Sequence, residues 1–419
     1  MTSSNDAVII IGGGIAGLAC ARRLHTAGIP FALLEASDRI GGRIRTDRQD
    51  GYLMDRGFQV LQTAYPEARQ VLDYRRLNLR PFAPGVMIRI RGRFFTIADP
   101  RRMPRYLLSS ATAPFGTLRD RLRLCYLGHQ VSRGPLGSLF KTPEMTAMDF
   151  LQARGFSATM IERFFRPFFG GVCLDPQIRA SSRVLQYVMR MFATGDAALP
   201  AEGMEAIPRQ LAAGLPGEWI RTGQRVRSID DGCVILENGH VGHPRALVVA
   251  TEAPAARELL GQPAAAASIP ETCLYFTCHR AAWHPSFLML NGEGEGPINN
   301  IAFPSQVSAT YAPAGRSLAS VVVLGNPDED DPHLATRVKA QLVDWFGPEA
   351  DRWAHLATYR IAHALPDQSP PTIDPGHANP MVRPGLFVCG EYGRLPGTQW
   401  ALLSGRRAAE AVIAYLEGR

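Results

Sequence analysis

Apolar positions change period from one segment of the chain to the next, and each period predicts an element. Residues 8–11, Val-Ile-Ile-Ile, form an unbroken β-branched run, the pattern of a strand buried on both faces of a parallel sheet. Residues 15–27 set Leu18, Ala21 and Leu24 on one side of a helix that Gly28 ends, and residues 31–34 return to a short apolar strand. Residues 86–97 alternate apolar and basic positions about Arg91-Gly92, which predicts a hairpin. From Pro100 to about Leu199 the period is helical, broken at Pro114, Gly134-Pro135 and Gly170-Gly171, with one helix expected over 143–154 under a Thr142 cap.

Further on, a helix is expected from Gly203 to Ala213 and an alternating strand over 220–229. Its partner lies at 234–236 across the Asp230-Asp231-Gly232 turn, and a buried strand follows over 246–251. Residues 272–279, 299–303 and 317–324 predict an antiparallel sheet, and the acids at 328–331 open a helix that runs to Phe346. A strand over 385–391 and a helix from Thr398 to Tyr415 close the chain.

Between the first strand and the first helix stand Gly12, Gly14 and Gly17, spaced as G-x-G-x-x-G. Gly12 permits the tight turn, Gly14 lets the backbone approach a pyrophosphate, and Gly17 lets the helix pack on the strand. The helix opening at Ile15 and Ala16 then presents its N–H groups to phosphate. Glu35 ends the second strand about twenty residues on, where a carboxylate takes ribose hydroxyls. Strand, glycines, helix, strand and acid in this order predict a dinucleotide site.

The next residues, Ala36-Ser37-Asp38-Arg39-Ile40-Gly41-Gly42-Arg43, separate one dinucleotide from another. This run resembles the extended fingerprint of the FAD-containing amine oxidase, protoporphyrinogen oxidase and phytoene desaturase superfamily. In that family the Gly-Gly turn and its Arg close over the FAD pyrophosphate, a charge-assisted contact. The resemblance continues at Gly57, Phe58 and Gln59, matching the segment that passes the flavin ring. It continues at Val226, matching a residue that pairs its backbone with the adenine, and at Thr251. It ends at Gly390-Glu391 and at Thr398, Gln399, Trp400 and Ala401, where Glu391 would sit by the ribityl-pyrophosphate and the last helix would point N–H groups at the flavin. Cys389 precedes Gly390-Glu391 on a buried strand, so FAD is expected to be non-covalent.

The resemblance implies an α/β architecture in which a Rossmann-like FAD-binding domain, three-layered around a parallel sheet, is interleaved with an α+β substrate domain containing an antiparallel sheet. The boundaries fall at 1–80, 200–270 and 370–419 for the first and at 81–199 and 271–369 for the second. Within the latter, Arg163 to Val172 holds four phenylalanines; Phe168 and Phe169 are candidates for a substrate-lining wall, with ordinary core as the alternative. Tyr392 is a further candidate beside the cofactor.

At 419 residues the chain has length for two domains. No apolar run reaches bilayer length and no secretory leader is legible, so the expected location is cytoplasmic. The seven cysteines are scattered without a C-x-x-C pair, which predicts reduced thiols and no metal centre. Net charge is +7, carried almost wholly by arginine and dense between Arg69 and Arg133. Such a face is either plain solvated surface or a peripheral contact with anionic lipid; a nucleic-acid partner is not indicated, since no nucleic-acid module is legible.

No paired carboxylates, Ser/His/Asp order or activated Cys stands out, so no catalytic residue is assigned. The resemblance implies oxidation or desaturation of a hydrophobic small molecule, isoprenoid-, carotenoid- or porphyrinogen-like, with oxygen or a quinone as electron acceptor. Amine oxidation is the first alternative, although relatives that oxidise amines carry a Lys on the substrate sheet and here Lys141 and Lys339 lie near helices. Redox-neutral isomerisation of a polyene is the second, and a non-enzymatic flavin scaffold the third. Oligomeric state is not encoded in any legible pattern.

Overall fold

The computed structural model describes residues 7–99, 102–263, 268–279, 286–374, 376–391 and 395–418. A six-stranded sheet is ordered Ile220–Arg221, Phe31–Leu34, Val8–Ile11, Ala246–Val249, Leu386–Val388, Met381–Arg383, and only its last strand runs antiparallel. Alternation sorts the faces of the first strand. Val8 and Ile10 enter a core shared with the helices Ile15–Thr26 and Thr398–Glu417, while Ile9 and Ile11 meet Val234 and Leu236 of a small antiparallel meander. Both faces are covered, which is why residues 8–11 carry no polar position. Helices, parallel sheet and meander make the expected three layers.

A second sheet has seven strands: Ala354–Leu365, Ile269–His279, Arg316–Leu324, Ile298–Ala302, Leu288–Asn291, Gly85–Ile90 and Arg93–Ala98. Its pairings are antiparallel except that of Leu288–Asn291 with Gly85–Ile90. The predicted hairpin is its edge, turning at Arg91 (φ 52°) and Gly92 (φ 73°), the paired positive φ values of a tight hairpin turn. Leu274, Phe276, Val321 and Val323 pack under the helix Asp331–Phe346. Cys273 and Tyr275, of opposite parity, join the core of the parallel sheet. That parity aims the second sheet at the first.

Three elements depart from the sequence pattern. The helix expected over 143–154 is Ala147–Ala153, because Thr146 accepts the Asp149 N–H (3.1 Å) and starts it later. Thr142 instead follows a short 3-10 turn, its hydroxyl on the Leu139 carbonyl. The strand expected over 220–229 is two: Ile220–Arg221 extends the parallel sheet, Gly223 (φ 67°) bends the chain, and Val226–Asp230 enters the meander. Gly203 (φ 89°) lies in a turn, and the helix after it is Ala206–Ala212.

Candidate functional site

The glycines of the first turn are each held by a different constraint. Gly12 has φ 109°, and a Cβ there would stand 2.8 Å from the Ala250 carbonyl oxygen. A Cβ on Gly17 would stand 2.0 Å from the Gly12 oxygen, so helix and strand could not meet. Around Gly14 the reverse holds: a Cβ would meet nothing within 4 Å, and Gly14 caps the helix Ile15–Thr26 without any side-chain bond. Open space at an uncapped helix N-terminus is where an anion binds.

Gly41 and Gly42 (φ 117° and 59°) close on this loop: Gly41 donates its N–H to the Gly13 carbonyl (2.8 Å), and a Cβ on Gly42 would press within 3.3 Å of Gly14 Cα. Glu35 is buried and accepts the N–H of Gly13 (2.8 Å), the N–H of Ser37 (2.8 Å) and the Ser37 hydroxyl (2.6 Å). Half-buried Ala36 carries the chain from it into the turn. Gln224 donates its N–H to the Glu35 carbonyl (2.8 Å), bringing Val226 and its strand alongside. Thr251 follows the strand Ala246–Val249, and its sealed hydroxyl finds no hydrogen-bond partner among the described residues.

The distant C-terminal motif joins the same place. Arg43 pairs with Glu391 (2.7 Å) and donates to the Ala364 carbonyl (2.8 Å). Gln59 donates to the Arg43 carbonyl (3.0 Å), leaving its own buried Oε1 unpartnered among the described residues. Gly390 (φ 90°) donates to the Ser404 hydroxyl (2.9 Å), fixing the turn before the last helix. That helix lies on the first one closely enough that a Cβ on Gly405 would stand 2.1 Å from the Ala16 carbonyl oxygen.

Three candidates, Arg39, Trp400 and Ala401, are placed otherwise than the sequence suggests. Arg39 turns from the cradle to Asp47 and Glu205 (3.3 Å to the latter). Trp400 and Ala401 donate their N–H groups to the Gly397 carbonyl (3.1 and 3.0 Å), so the helix start offers Thr398 and Gln399 instead. The Trp400 ring points into the helical segment, 5.5 Å from Phe140 and 5.0 Å from Tyr187, and the Gln399 side chain holds the Glu67 N–H (2.9 Å).

Phe168 and Phe169 belong to the core of that helical segment. Phe169 is 0 % exposed and so lines no water-sized cavity, and Phe168 stacks on Phe164 at 5.4 Å. Adjacent rings do share this core, because Phe164, Phe165, Phe168 and Phe169 span one broad helical face, entered through a π-helical turn at Ile161–Phe165. Tyr392 lies outside the described residues.

Two buried carboxyls escape sequence inspection. Glu271 shares the parity of Cys273 and Tyr275, and its Oε1 accepts the Phe58 N–H (3.2 Å) beneath Gly57 (φ 89°). Burial pushes it up to about 7 against that one donor. Asp55 takes the Met204 N–H and the hydroxyls of Thr46 and Tyr311, yet burial still lifts it to about 6. An acid beside the apolar run Cys273 to Phe276 was the sequence signal for Glu271.

Parallel sheet, glycine loop and buried acid define the Rossmann class of nucleotide-binding fold. Within that class, residues 15–413 match the family model described as flavin containing amine oxidoreductase; the chain belongs to that family and is a flavin-dependent oxidoreductase. A 58-residue stretch is 53 % identical to lysine-specific histone demethylase 2 of Homo sapiens, spanning 14 % of this chain and 7 % of that protein. The fold matches a putative protoporphyrinogen oxidase from Exiguobacterium sp. 255-15 (TM-score 0.72, 18 % identity, 99 % of this chain and 100 % of that one). It equally matches cyclohexylamine oxidase from Brevibacterium oxydans IH-35A (TM-score 0.74, 16 % identity, 99 % and 100 %).

Proposed function

We propose that the flavin is FAD, held without a covalent bond, and that the protein dehydrogenates or desaturates a hydrophobic small molecule. The observation that carries the FAD assignment is the convergence of Gly12–Gly17, Gly41–Arg43 and Glu391 on the open space over Gly14, with Glu35 beside it. Sealed, unpartnered oxygens of Thr251 and Gln59 fit a ligand that supplies donors there. The uncapped N-terminus of Ile15–Thr26 takes the pyrophosphate, Glu35 the ribose, Arg43 with Glu391 closes the turn, and the N–H groups at Thr398 and Gln399 favour negative charge on the ring system. A flavin supplies hydride acceptance and electron transfer when bound; the protein's part is to hold, orient and shield. Cys389, fully buried, is not the attachment point. Residues 1–80, 200–270 and 370–419 then form the cofactor domain, and 81–199 with 271–369 the substrate domain.

One feature favours an apolar substrate over an amine. The seven-stranded sheet contains no lysine: Lys141 ends a 3-10 turn, and Lys339 lies on the helix Asp331–Phe346 facing Asp351 (3.8 Å). The rings beside the start of the last helix, Tyr187, Trp400 and Phe140, belong to the core of the helical segment and favour neither, since an aromatic face takes an amine as readily as an apolar group. The likeness to cyclohexylamine oxidase keeps an amine as the second reading. Anaerobic photoreduction followed by reoxidation with oxygen and with a soluble quinone tests the proposal, alongside turnover of porphyrinogen, polyene and amine panels. Bleaching of a bound flavin, turnover of an apolar substrate and recovery by one acceptor are expected, with FAD released into an acid supernatant. Turnover of amines alone would overturn the substrate assignment, and a yellow acid pellet the non-covalent one.

A further inference from the structure

Nine large apolar side chains stand exposed among the described residues, and five of them fall between Leu107 and Tyr126. Two consecutive helices carry them. The helix Leu107–Thr112 buries none of its side chains, and it turns its serines to the protein: Ser109 donates to the Thr96 carbonyl (2.8 Å) and Ser110 accepts the Ala98 N–H (3.0 Å). Leu107 and Leu108 are left in solvent, 57 % and 75 % exposed. That orientation is the inverse of an ordinary surface helix.

The helix Leu118–Val131 buries Leu127 and Val131 in the core of the helical segment, so its inward side is the ordinary apolar one, and its Thr117/Asp120 capping box closes the N-terminus. Its inward side includes Asp120, a carboxylate with 0 % exposure that binds the N–H and hydroxyl of both Thr117 and Ser157. Meanwhile Leu118, Leu122 and Tyr126 repeat every fourth residue along an outward stripe, each more than three-fifths exposed. With Leu107 and Leu108, this stripe gathers five exposed large apolar side chains within twenty residues of chain, the kind of concentration that marks a contact face.

Charge identifies the partner. Residues 102–141 contain six arginines, one lysine and a single acid, the buried Asp120; Arg102 is paired with Asp196, Arg123 with Asp120, and Arg121 turns onto the Ala113 carbonyl, while Arg105, Arg119 and Arg133 stand exposed beside the leucines. A second copy of the same face would bring like charges together. An anionic bilayer instead offers phosphates to the arginines and hydrocarbon to the leucines. Among the described residues no helix is long and apolar enough to cross a membrane, so such contact is made at the surface.

We propose that the helices Leu107–Thr112 and Leu118–Val131 dock the protein on an anionic phospholipid surface, with their exposed leucines in the acyl boundary and the flanking arginines on headgroup phosphates. Its purpose, access to a membrane-dissolved substrate, rests on the apolar-substrate reading; its geometry does not.

The test uses the flavin-loaded protein and vesicles of phosphatidylcholine, with and without phosphatidylglycerol. Sedimentation with the anionic vesicles is expected to exceed that with the neutral ones, to weaken with salt, and to fall about tenfold in Leu118→Ser/Leu122→Ser and separately in Leu107→Ser/Leu108→Ser. Cys125 is an exposed thiol on the same helix, so a polarity-sensitive dye placed there in a Cys233→Ser background is expected to shift to the blue on those vesicles. The altered side chains stand in solvent, and unchanged flavin absorbance shows that the variants fold. Equal sedimentation of wild type and both variants would overturn the proposal, as would no binding to anionic vesicles, or a wild-type dimer that the variants split. Substrate turnover is not measured here, so either outcome leaves the substrate assignment to its own experiment.

Discussion

Replacing Glu271 by Gln changes a buried acid into a neutral group of the same shape, and its effect follows from one carboxyl. The side chain is nearly sealed, Oε1 takes only the Phe58 N–H at 3.2 Å among the described residues, and the ideal Cβ position of Gly57 lies 3.0 Å from Oε2. Burial therefore raises it from 4.5 to about 7. The folded state holds this proton more tightly than the unfolded chain does, so the stabilising contribution is complete below pH 4.5 and is lost as pH rises through 7. A displacement of that size corresponds to about 3 kcal/mol, at 1.36 kcal/mol per pH unit.

Glu271→Gln keeps an oxygen for the Phe58 N–H and carries no charge to bury. Urea unfolding at fixed excess FAD should show the variant close to wild type at pH 4.5 and about 3 kcal/mol more stable at pH 8. Asp55, lifted to about 6, destabilises both proteins in the same direction and largely cancels in the difference. A difference that stays flat from pH 4.5 to 8 would refute the reasoning, since Glu271 would then not change charge across that range.

Two further outcomes follow from close approaches. Gly405→Ala puts a Cβ 2.1 Å from the Ala16 carbonyl oxygen and 2.9 Å from Ala19 Cβ, so the first and last helices must separate; a melting temperature lower by several degrees and faster loss of flavin are expected, read by flavin fluorescence on heating. Arg43→Ala leaves the buried Glu391 carboxylate without its guanidinium, and FAD affinity by equilibrium titration is expected to fall at least tenfold, with Arg43→Ala/Glu391→Gln recovering part of the loss.

The cofactor half of this site is legible because its demands fall on the backbone, and backbone demands select glycine. Gly12, Gly17, Gly41 and Gly390 each stand where a positive φ or an approach below 3 Å forbids a Cβ, so their spacing alone announces the geometry. The central strands of the two main sheets are legible for a similar reason, since apolar period reports which faces are covered; the edge strand Ala354–Leu365, buried at none of its positions, carries no such period and is not anticipated. Boundaries are less so: Thr142-Pro143 and Thr146 are competing caps four residues apart, and only the Asp149 N–H shows which one the helix uses.

The substrate half depends on side chains that meet through long-range register. Glu271 gains its meaning from Phe58, 213 residues earlier in the chain, and the Trp400 ring gains its direction from Phe140 and Tyr187 on the helical segment. The same holds on the surface: an Arg- and Leu-rich run reads equally as solvated helix or as membrane face until Ser109 and Ser110 are seen to point inward and five large apolar side chains to stay in solvent. What decides between those two is the placement of the polar residues. A leucine in water is commonplace on a protein surface, whereas the helix Leu107–Thr112 gives its inward side to hydroxyls and keeps both of its leucines outside, beside the exposed Leu118, Leu122 and Tyr126 of the next helix.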